Sequence, residues 1–350
     1  MAGARGSRRA QLAAAAAAMA GAALFVWAIR QAGAAAVADG IRRVGAGIVV
    51  VCALGGVRGL IRAAAWRQCL DREHQIGLAT MFATYLAGDA LGNVTPFGVL
   101  VSEPLKVVMV RRRIDVPAAA AALTIENLFY ALTIIVMLVA GTVVLLAQFT
   151  VPPAIRLVSL ATLALALAAA AAGAAVAFAG QRTADRLLAW LGRRRFGASF
   201  WRAHLPRIQE TVDRIFDFVH RRRAAVLPVI ALETAYHALA VAEIWYALTL
   251  ITGARPAFVT AFVLEYVNRV ITIGFQFVPM WLGVDEAGTS LATSALSLGP
   301  AAGVTLALVR KTRVALWTAI GIGLLLHRGL SGPIAAREAQ PLASNGARRL

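Results

Sequence analysis

Charged and amide side chains stand inside long apolar stretches of this 350-residue sequence. A lone charged side chain at the centre of a lipid bilayer costs at least ~2.5 kcal/mol, so such residues pair with one another or line a polar path. Carboxylates and basic groups together can bind a zwitterionic or phosphate-bearing head group, and structural ion pairs among themselves explain them equally well. The candidate path residues are Asp89, Asn93, Glu103, Lys106, Glu126, Asn127, Glu265, Asn268, Arg269, Glu286, Arg310, Lys311 and Arg313.

The sequence lacks the residue spacings that a metal site, a disulfide framework or a common catalytic motif would need. The five histidines and two cysteines are scattered, with no spacing typical of a metal site or a disulfide framework. His237 follows Glu233 by one helical turn, so we expect a hydrogen bond between them, with a proton relay as the less favoured interpretation. The GxSxG, Walker A and GxGxxG patterns are also absent from the sequence. We therefore expect no catalytic residue, no metal and no cofactor.

The composition is that of an integral membrane protein. Hydrophobic residues make up 60% of the chain, charged residues 15%, and the mean hydropathy is +0.73, whereas soluble domains contain roughly 45–50% and 25% of these residue classes. The net charge of +18 does not indicate a nucleic-acid partner, because the basic residues cluster between apolar stretches. Such clusters set the orientation of a chain in a bilayer.

The apolar stretches predict an all-α membrane protein, a single membrane domain over 1–350 with about six full transmembrane helices and two interrupted helical segments. The full spans are placed at 10–29, 44–66, 118–147, 157–181, 224–251 and 300–327. Arg58 and Arg62, in the second span, are expected to extend to a membrane interface. The interrupted segments cover 76–114 and 257–299, with a single span over 287–309 as the less favoured alternative. The expected helix breaks are at Pro96, Gly98, Pro279 and Gly283.

The two interrupted segments share a sequence pattern. Both read P-x4-V-[SD]-E, from Pro96 to Glu103 and from Pro279 to Glu286, at an offset of 183 residues. The same offset places Asn127 on Arg310 and the span from residue 45 on the span from residue 228. We therefore interpret 45–147 and 228–327 as two copies of one repeat.

Basic clusters indicate how these elements are oriented. Residues 181–223 hold 11 Arg and 4 acidic residues, which predicts a cytoplasmic amphipathic loop. Recognition of anionic lipid and a solvated linker packed on the membrane domain explain this loop equally well. With both termini, including a polar tail over 329–350, in the cytoplasm, three crossings separate the repeats, which would make them inverted as in many transporters. The basic residues Arg30, Arg42 and Arg43 are an exception, because this arrangement places them outside the cytoplasm, where basic residues are not expected.

These residues resemble the transmembrane domain of lysylphosphatidylglycerol synthases, a flippase-like family that includes stand-alone proteins encoded with hopanoid and lipid-glycan assembly genes. The likeness covers roughly residues 45–327. The family's N-x-x-P pattern, followed by an acidic and then a basic residue, is matched by Asn93, Pro96, Glu103 and Lys106, with Ser102 in place of the usual glycine. Its later motif is matched by Pro279, Leu282, Gly283, Val284 and Glu286, with Ala287 before Gly288, and its base-bearing last span by Arg310 to Arg313.

The resemblance implies a multi-pass protein of the bacterial inner membrane that moves a phospholipid, an aminoacyl-phospholipid or a polyprenyl- or hopanoid-type amphiphile between leaflets. The chain ends before the soluble lysyltransferase domain of the full-length synthases could begin, so a stand-alone member without enzymatic activity is expected. The alternative is a non-transporting scaffold or accessory subunit that holds a lipid or lipid-glycan biosynthesis enzyme through residues 181–223. A membrane-embedded enzyme acting on a prenyl phosphate is a third, weaker interpretation.

Overall fold

Every regular element in the described part of the chain is a helix. The computed structural model describes residues 19–71, 73, 76–192, 209–210, 212–218 and 221–338, with the backbone alone for 176–192 and 328–338. The helices are α1 (Met19–Ala32), α2 (Ala34–Val44), α3 (Gly47–Cys69), α4 (Leu78–Val94), α5 (Val99–Val110), α6 (Val116–Gln148), α7 (Pro153–Gly192), α8 (Arg223–Thr252), α9 (Phe258–Gly274), α10 (Val284–Ala295) and α11 (Pro300–Glu338). The prediction of an all-α chain is therefore confirmed for these residues.

Among the described residues, four helices are long and apolar enough to cross a membrane. They are α3, α6, α7 over Pro153–Ala175, and α8, with mean hydropathies between 1.6 and 2.6. Helices α1 and α2 provide a fifth span if they are counted as one, bent by 88°. Gly33, with φ of 81°, lies at this bend, in a conformation that favours glycine. Helix α11 has 39 residues but carries three basic residues in its first half, so the expected total of about six spans stays a prediction.

Each of the two segments with the shared pattern is divided into two helices. Helix α4 ends before Pro96, and α5 begins at Val99 after Phe97, whose φ is 52°. Helix α5 then runs back along α4, because Asp89 of α4 contacts both Ser102 and Lys106 of α5. The first segment is thus a helical hairpin, and its two helices do not form one straight span.

The second segment has the same design. A 3-10 turn over Pro279–Trp281 separates α9 from α10, and Gly283 adopts φ of 81° directly before α10. The indole N–H of Trp281 donates to the carbonyl oxygen of Thr272 at 3.1 Å, which folds this turn back onto α9. A further break at 296–299 separates α10 from α11, so the alternative of one span over 287–309 is wrong.

The tips of the two hairpins contact each other. The backbone N–H of Phe97, in the first break, donates to the carbonyl oxygen of Gln276, in the second, at 3.1 Å. The rings of Phe97 and Phe277 lie 6.5 Å apart. The two breaks, which are 183 residues apart in the sequence, therefore lie side by side in the structure.

The helices around the hairpins pack in a reciprocal pattern. Helices α3 and α8 run antiparallel, because Arg58 contacts Glu243 while Arg62, one turn later, contacts Glu233, which lies earlier in α8. Helix α4 of the first hairpin packs on α11, and α9 of the second hairpin packs on α6. Each hairpin thus lies against the helix that follows the other hairpin.

Candidate functional site

A polar cavity of about 420 Å³ lies between the two hairpins, bordered by α3, α6, α8 and α11. Of the thirteen residues that the sequence suggests for a polar path, ten line this cavity: Asp89, Asn93, Glu103, Lys106, Asn127, Asn268, Arg269, Arg310, Lys311 and Arg313. Among the four expected helix breakers, Gly98 lines it as well. The fold therefore brings these ten residues from five helices to one place.

The remaining three path candidates lie behind the cavity wall. Glu126, Glu265 and Glu286 are at most 1% exposed. Their carboxylates pair with Arg62 at 2.6 Å, Arg269 at 2.5 Å and Lys311 at 2.7 Å, respectively. Glu286 also accepts the backbone N–H of Gly283 at 2.8 Å, so it caps α10. These three acids hold the cations that face the cavity and do not line it themselves.

The first hairpin supplies a wall with two accessible carboxylates. The ammonium group of Lys106 lies 2.8 Å from Asp89 and 2.9 Å from Glu103, and its side chain is only 3% exposed. The side chains of Asp89 and Glu103 are 37% and 24% exposed. The Nδ2 group of Asn127 donates to Glu103 at 2.7 Å, which connects α5 to α6. This wall presents two acids around one buried lysine.

Helix α11 supplies another wall of the cavity, which carries the basic residues Arg310, Lys311 and Arg313. Arg310 contacts Asp285 at 2.6 Å and Thr289 at 2.7 Å, and Lys311 contacts Glu286. Among the described residues, Nε and Nη1 of Arg310 have no hydrogen-bond partner although they are buried. Arg310 thus combines a fixed position in the cavity lining with two buried donors that have no partner among these residues. Burial of the three bases of α11 inside the protein agrees with the high cost of exposing them to lipid.

Arg58 and Arg62 are the clearest correction to the sequence-based expectations. Neither extends to a membrane interface; each is 5% exposed and lines the cavity. Arg58 pairs with Glu243 at 2.9 Å, and Arg62 pairs with Glu126. The physical reason is that α6 and α8 offer carboxylates next to α3, and such partners offset the cost of burying an arginine inside the protein.

Tyrosine rings complete the environment of these arginines, and sequence reasoning missed them. The guanidinium carbon of Arg62 lies 3.7 Å from the ring centre of Tyr130, and that of Arg58 lies 4.5 Å from the ring centre of Tyr236. Arginine stacks well on aromatic faces because its guanidinium group is planar and weakly hydrated. The only sequence signal for this arrangement was the presence of both tyrosines in spans that also carry ionisable residues.

The charges that line the cavity are mainly positive. Among the described residues, the carboxylates of Asp89, Glu103 and Asp285 line it, whereas Glu233, Glu243 and the three acids described above lie behind the lining. The lining cations are Arg58, Arg62, Lys106, Arg269, Arg310, Lys311 and Arg313. A concave surface with excess positive charge attracts an anionic group.

The chain matches a known protein family. The family model described as lysylphosphatidylglycerol synthase TM region matches residues 11–323. The chain belongs to this family. It is therefore a multi-pass membrane protein, and membership ties it to membrane lipid metabolism or transport. No curated protein and no solved structure matches the chain.

The environment of His237 in this family member differs from the expectation. Neither ring nitrogen of His237 has a hydrogen-bond partner in the described part of the chain, so the expected bond to Glu233 is absent. Glu233 lies 3.7 Å from Arg62, and the His237 ring stacks on Tyr130 at 5.5 Å between centres. Because His237 does not line the cavity, a proton-relay role receives no support from its position. No cluster of three or more metal-ligating side chains occurs within the residues that the structure describes.

Part of the predicted basic loop lies outside the described residues, as do 1–18 and most of the polar tail. Within 181–223, side chains are not described for 181–208. The end of the loop is described, and there Arg222 donates to the carbonyl oxygen of Leu70 at 2.7 Å while Arg214 lies 3.3 Å from Asp115. These contacts attach the end of the loop to α3 and to the start of α6.

Proposed function

We propose that this protein moves a phospholipid, an aminoacyl-phospholipid or a polyprenyl-type amphiphile between the two leaflets of the membrane, without catalysing a covalent step. The head group would pass through the polar cavity while the hydrocarbon tails stay outside it. The observation that carries the proposal is the cation-rich cavity of about 420 Å³ between two helical hairpins. Because charge inside a membrane domain is costly, a cavity of this kind indicates a path for a polar group.

Two features of the cavity suggest how it would bind a head group. The guanidinium groups of Arg269, Arg310 and Arg313, which line the cavity, suit the oxygen atoms of a phosphate. The accessible carboxylates of Asp89 and Glu103 suit a hydroxyl or ammonium group. A head group that carries both kinds of group could engage the two walls at once.

An inverted repeat would supply the transport mechanism. Helices α3 and α8 occupy equivalent places in the two repeats and run antiparallel, and the reciprocal packing of α4 on α11 and of α9 on α6 is what a pseudo-two-fold axis across these helices produces. Such an axis lies in the membrane plane when the helices cross the membrane. In transporters with this symmetry, one repeat rocks against the other and exposes a central site to each side in turn.

A translocation assay tests this function directly. Purified protein would be reconstituted in liposomes with phosphatidylglycerol that carries a fluorescent group on its acyl chain, and the loss of fluorescence on adding an impermeant quencher would be followed. We expect faster exchange between leaflets than in protein-free liposomes. Glu103→Gln should slow the exchange, because it removes an accessible charge but keeps the shape of the side chain.

The matched control is Asp39→Asn, which also removes one carboxylate charge. Asp39 pairs with Arg43 on α2, where both side chains are 52% exposed and lie outside the cavity. This variant should exchange lipid at the wild-type rate. Exchange no faster than in empty liposomes for the wild type, with polyprenyl phosphate as well as with phosphatidylglycerol, would contradict the proposed function.

A further inference from the structure

A second cleft adjoins the polar cavity. It has a volume of about 440 Å³, within the range of roughly 300–1,000 Å³ that is typical of ligand sites. It lies between α5 and α6, and its wall is mainly apolar. The side chains that form most of this wall are Val107, Val108, Val116, Ala120, Leu123 and Thr124.

The cleft and the cavity meet at two residues. Glu103 and Asn127 line both spaces, and the amide of Asn127 donates to the Glu103 carboxylate at 2.7 Å. A cation-rich space therefore continues into an apolar space across one hydrogen bond between two side chains. A molecule that is charged at one end and apolar at the other matches these two adjoining spaces.

In the second repeat, the contact between α10 and α11 corresponds to the contact between α5 and α6, and its two helices are held together more tightly. The offset of 183 residues pairs Glu103 with Glu286 and Asn127 with Arg310. There α10 and α11 are held together by two ion pairs, from Asp285 to Arg310 at 2.6 Å and from Glu286 to Lys311 at 2.7 Å. The backbone of α10 also packs closely against Gly303. One repeat thus has a cleft at the place where the other has a closely packed contact held by two ion pairs.

The cavity and the cleft adjoin, and the second repeat is closely packed at the corresponding place. From these two observations we propose that the α5–α6 cleft holds a hydrocarbon tail of the lipid whose head group occupies the polar cavity. The hydrogen bond between Glu103 and Asn127 is the gate between the two spaces, and it opens when the head group passes. The inference rests on the proposed function and adds to it the route of the tail. The closed α10–α11 contact would be the corresponding gate of the second repeat.

Photolabelling in liposomes tests the tail site without requiring transport. Two probes carry the same diazirine-bearing acyl chain: phosphatidylglycerol, and diacylglycerol, which lacks the phosphate. The labelled residues are identified by peptide mass spectrometry. We expect phosphatidylglycerol to label the cleft residues Val108 and Thr124 more strongly than diacylglycerol does. At Leu128, which is 53% exposed and lines neither space, both probes should label equally. Equal labelling of the cleft by both probes would overturn the proposal, because ordinary boundary lipid gives that result.

A pair of tryptophan variants tests the role of the cleft in translocation. Thr124→Trp fills the cleft from an exposed position on α6, and Leu128→Trp places the same indole side chain one turn later, outside it. We expect Thr124→Trp to lose both the phosphate-dependent labelling and the lipid exchange, whereas Leu128→Trp keeps both. Unchanged thermal unfolding of the two variants in detergent would show that the loss is not a folding defect.

The combined outcomes separate this inference from the function on which it rests. Phosphate-dependent labelling without lipid exchange would support the tail site and contradict translocation. Lipid exchange in both the wild type and Thr124→Trp, with equal labelling by the two probes, would support translocation and overturn the tail site.

Discussion

Replacement of Glu243 by glutamine should destabilise the protein strongly. The Glu243 carboxylate joins three helices, because it lies 2.9 Å from Arg58 on α3 and 2.8 Å from Arg313 on α11. The side chains of Glu243, Arg58 and Arg313 are 2%, 6% and 16% exposed. The variant would leave two buried guanidinium groups facing a neutral amide.

The expected magnitude follows from this burial. Removing one partner of a buried ion pair costs about 3–5 kcal/mol, because the other charge is left without compensation. Arg58 is almost fully buried and should incur this cost, whereas Arg313 is less buried and should add less. We therefore expect Glu243→Gln to lower the free energy of unfolding by about 4 kcal/mol.

Denaturant unfolding in detergent micelles measures this loss, with Asp39→Asn as the control. Asp39 and Arg43 form an exposed pair one helical turn apart, and such pairs contribute about 0.3–0.5 kcal/mol. A double-mutant cycle with Arg58→Met would isolate the coupling between Glu243 and Arg58. If Glu243→Gln costs no more than Asp39→Asn, the account of a buried charge network that joins α3, α8 and α11 is wrong.

Two further substitutions probe the same region. Arg62→Lys should lower the free energy of unfolding by about 2 kcal/mol. The planar guanidinium group of Arg62 stacks on Tyr130 and contacts two carboxylates at its edge, and an ammonium group cannot do both. A loss below about 0.5 kcal/mol would contradict this reasoning. Gly98→Ala should cost about 1–3 kcal/mol, because a Cβ at residue 98 would collide with the backbone of Gly92 at the hairpin tip. Gly77→Ala is its control, since a Cβ there meets nothing within 4 Å, and equal unfolding curves for these two alanine variants would refute the close approach of the hairpin helices.

The fold class and the helix breaks could be read from the sequence because they depend on local properties. Apolar composition predicts membrane helices without knowledge of their neighbours. Pro96 and Pro279 lack the backbone N–H that a continuing helix would use, so breaks were expected there. The hairpin geometry was harder to predict, since it depends on contacts such as that between Asp89 and Lys106.

The site was only partly predictable because the cost of a buried charge depends on its neighbours. Arg58 and Arg62 were expected at a membrane interface, yet the antiparallel packing of α3 on α8 places Glu243 and Glu233 beside them. Two in-span acids on one helix and two in-span bases on another were a signal that could have suggested this pairing. Whether a charge lines the cavity or lies behind it, as Glu126 does, depends on the rotation of its helix, which sequence spacing alone does not give.

Sided cysteine labelling shows whether the two hairpins enter the membrane from opposite faces, as one enclosed path between inverted repeats requires. In a chain with Cys52 and Cys69 replaced by alanine, single cysteines are placed at Gly77, directly before α4, and at Ala254, before α9; both positions are exposed. Intact cells are treated with a membrane-impermeant maleimide. We expect labelling at residue 254 in intact cells and at residue 77 only after the membrane is permeabilised. Labelling of both positions from the same side would contradict the inverted arrangement and the alternating-access mechanism that depends on it.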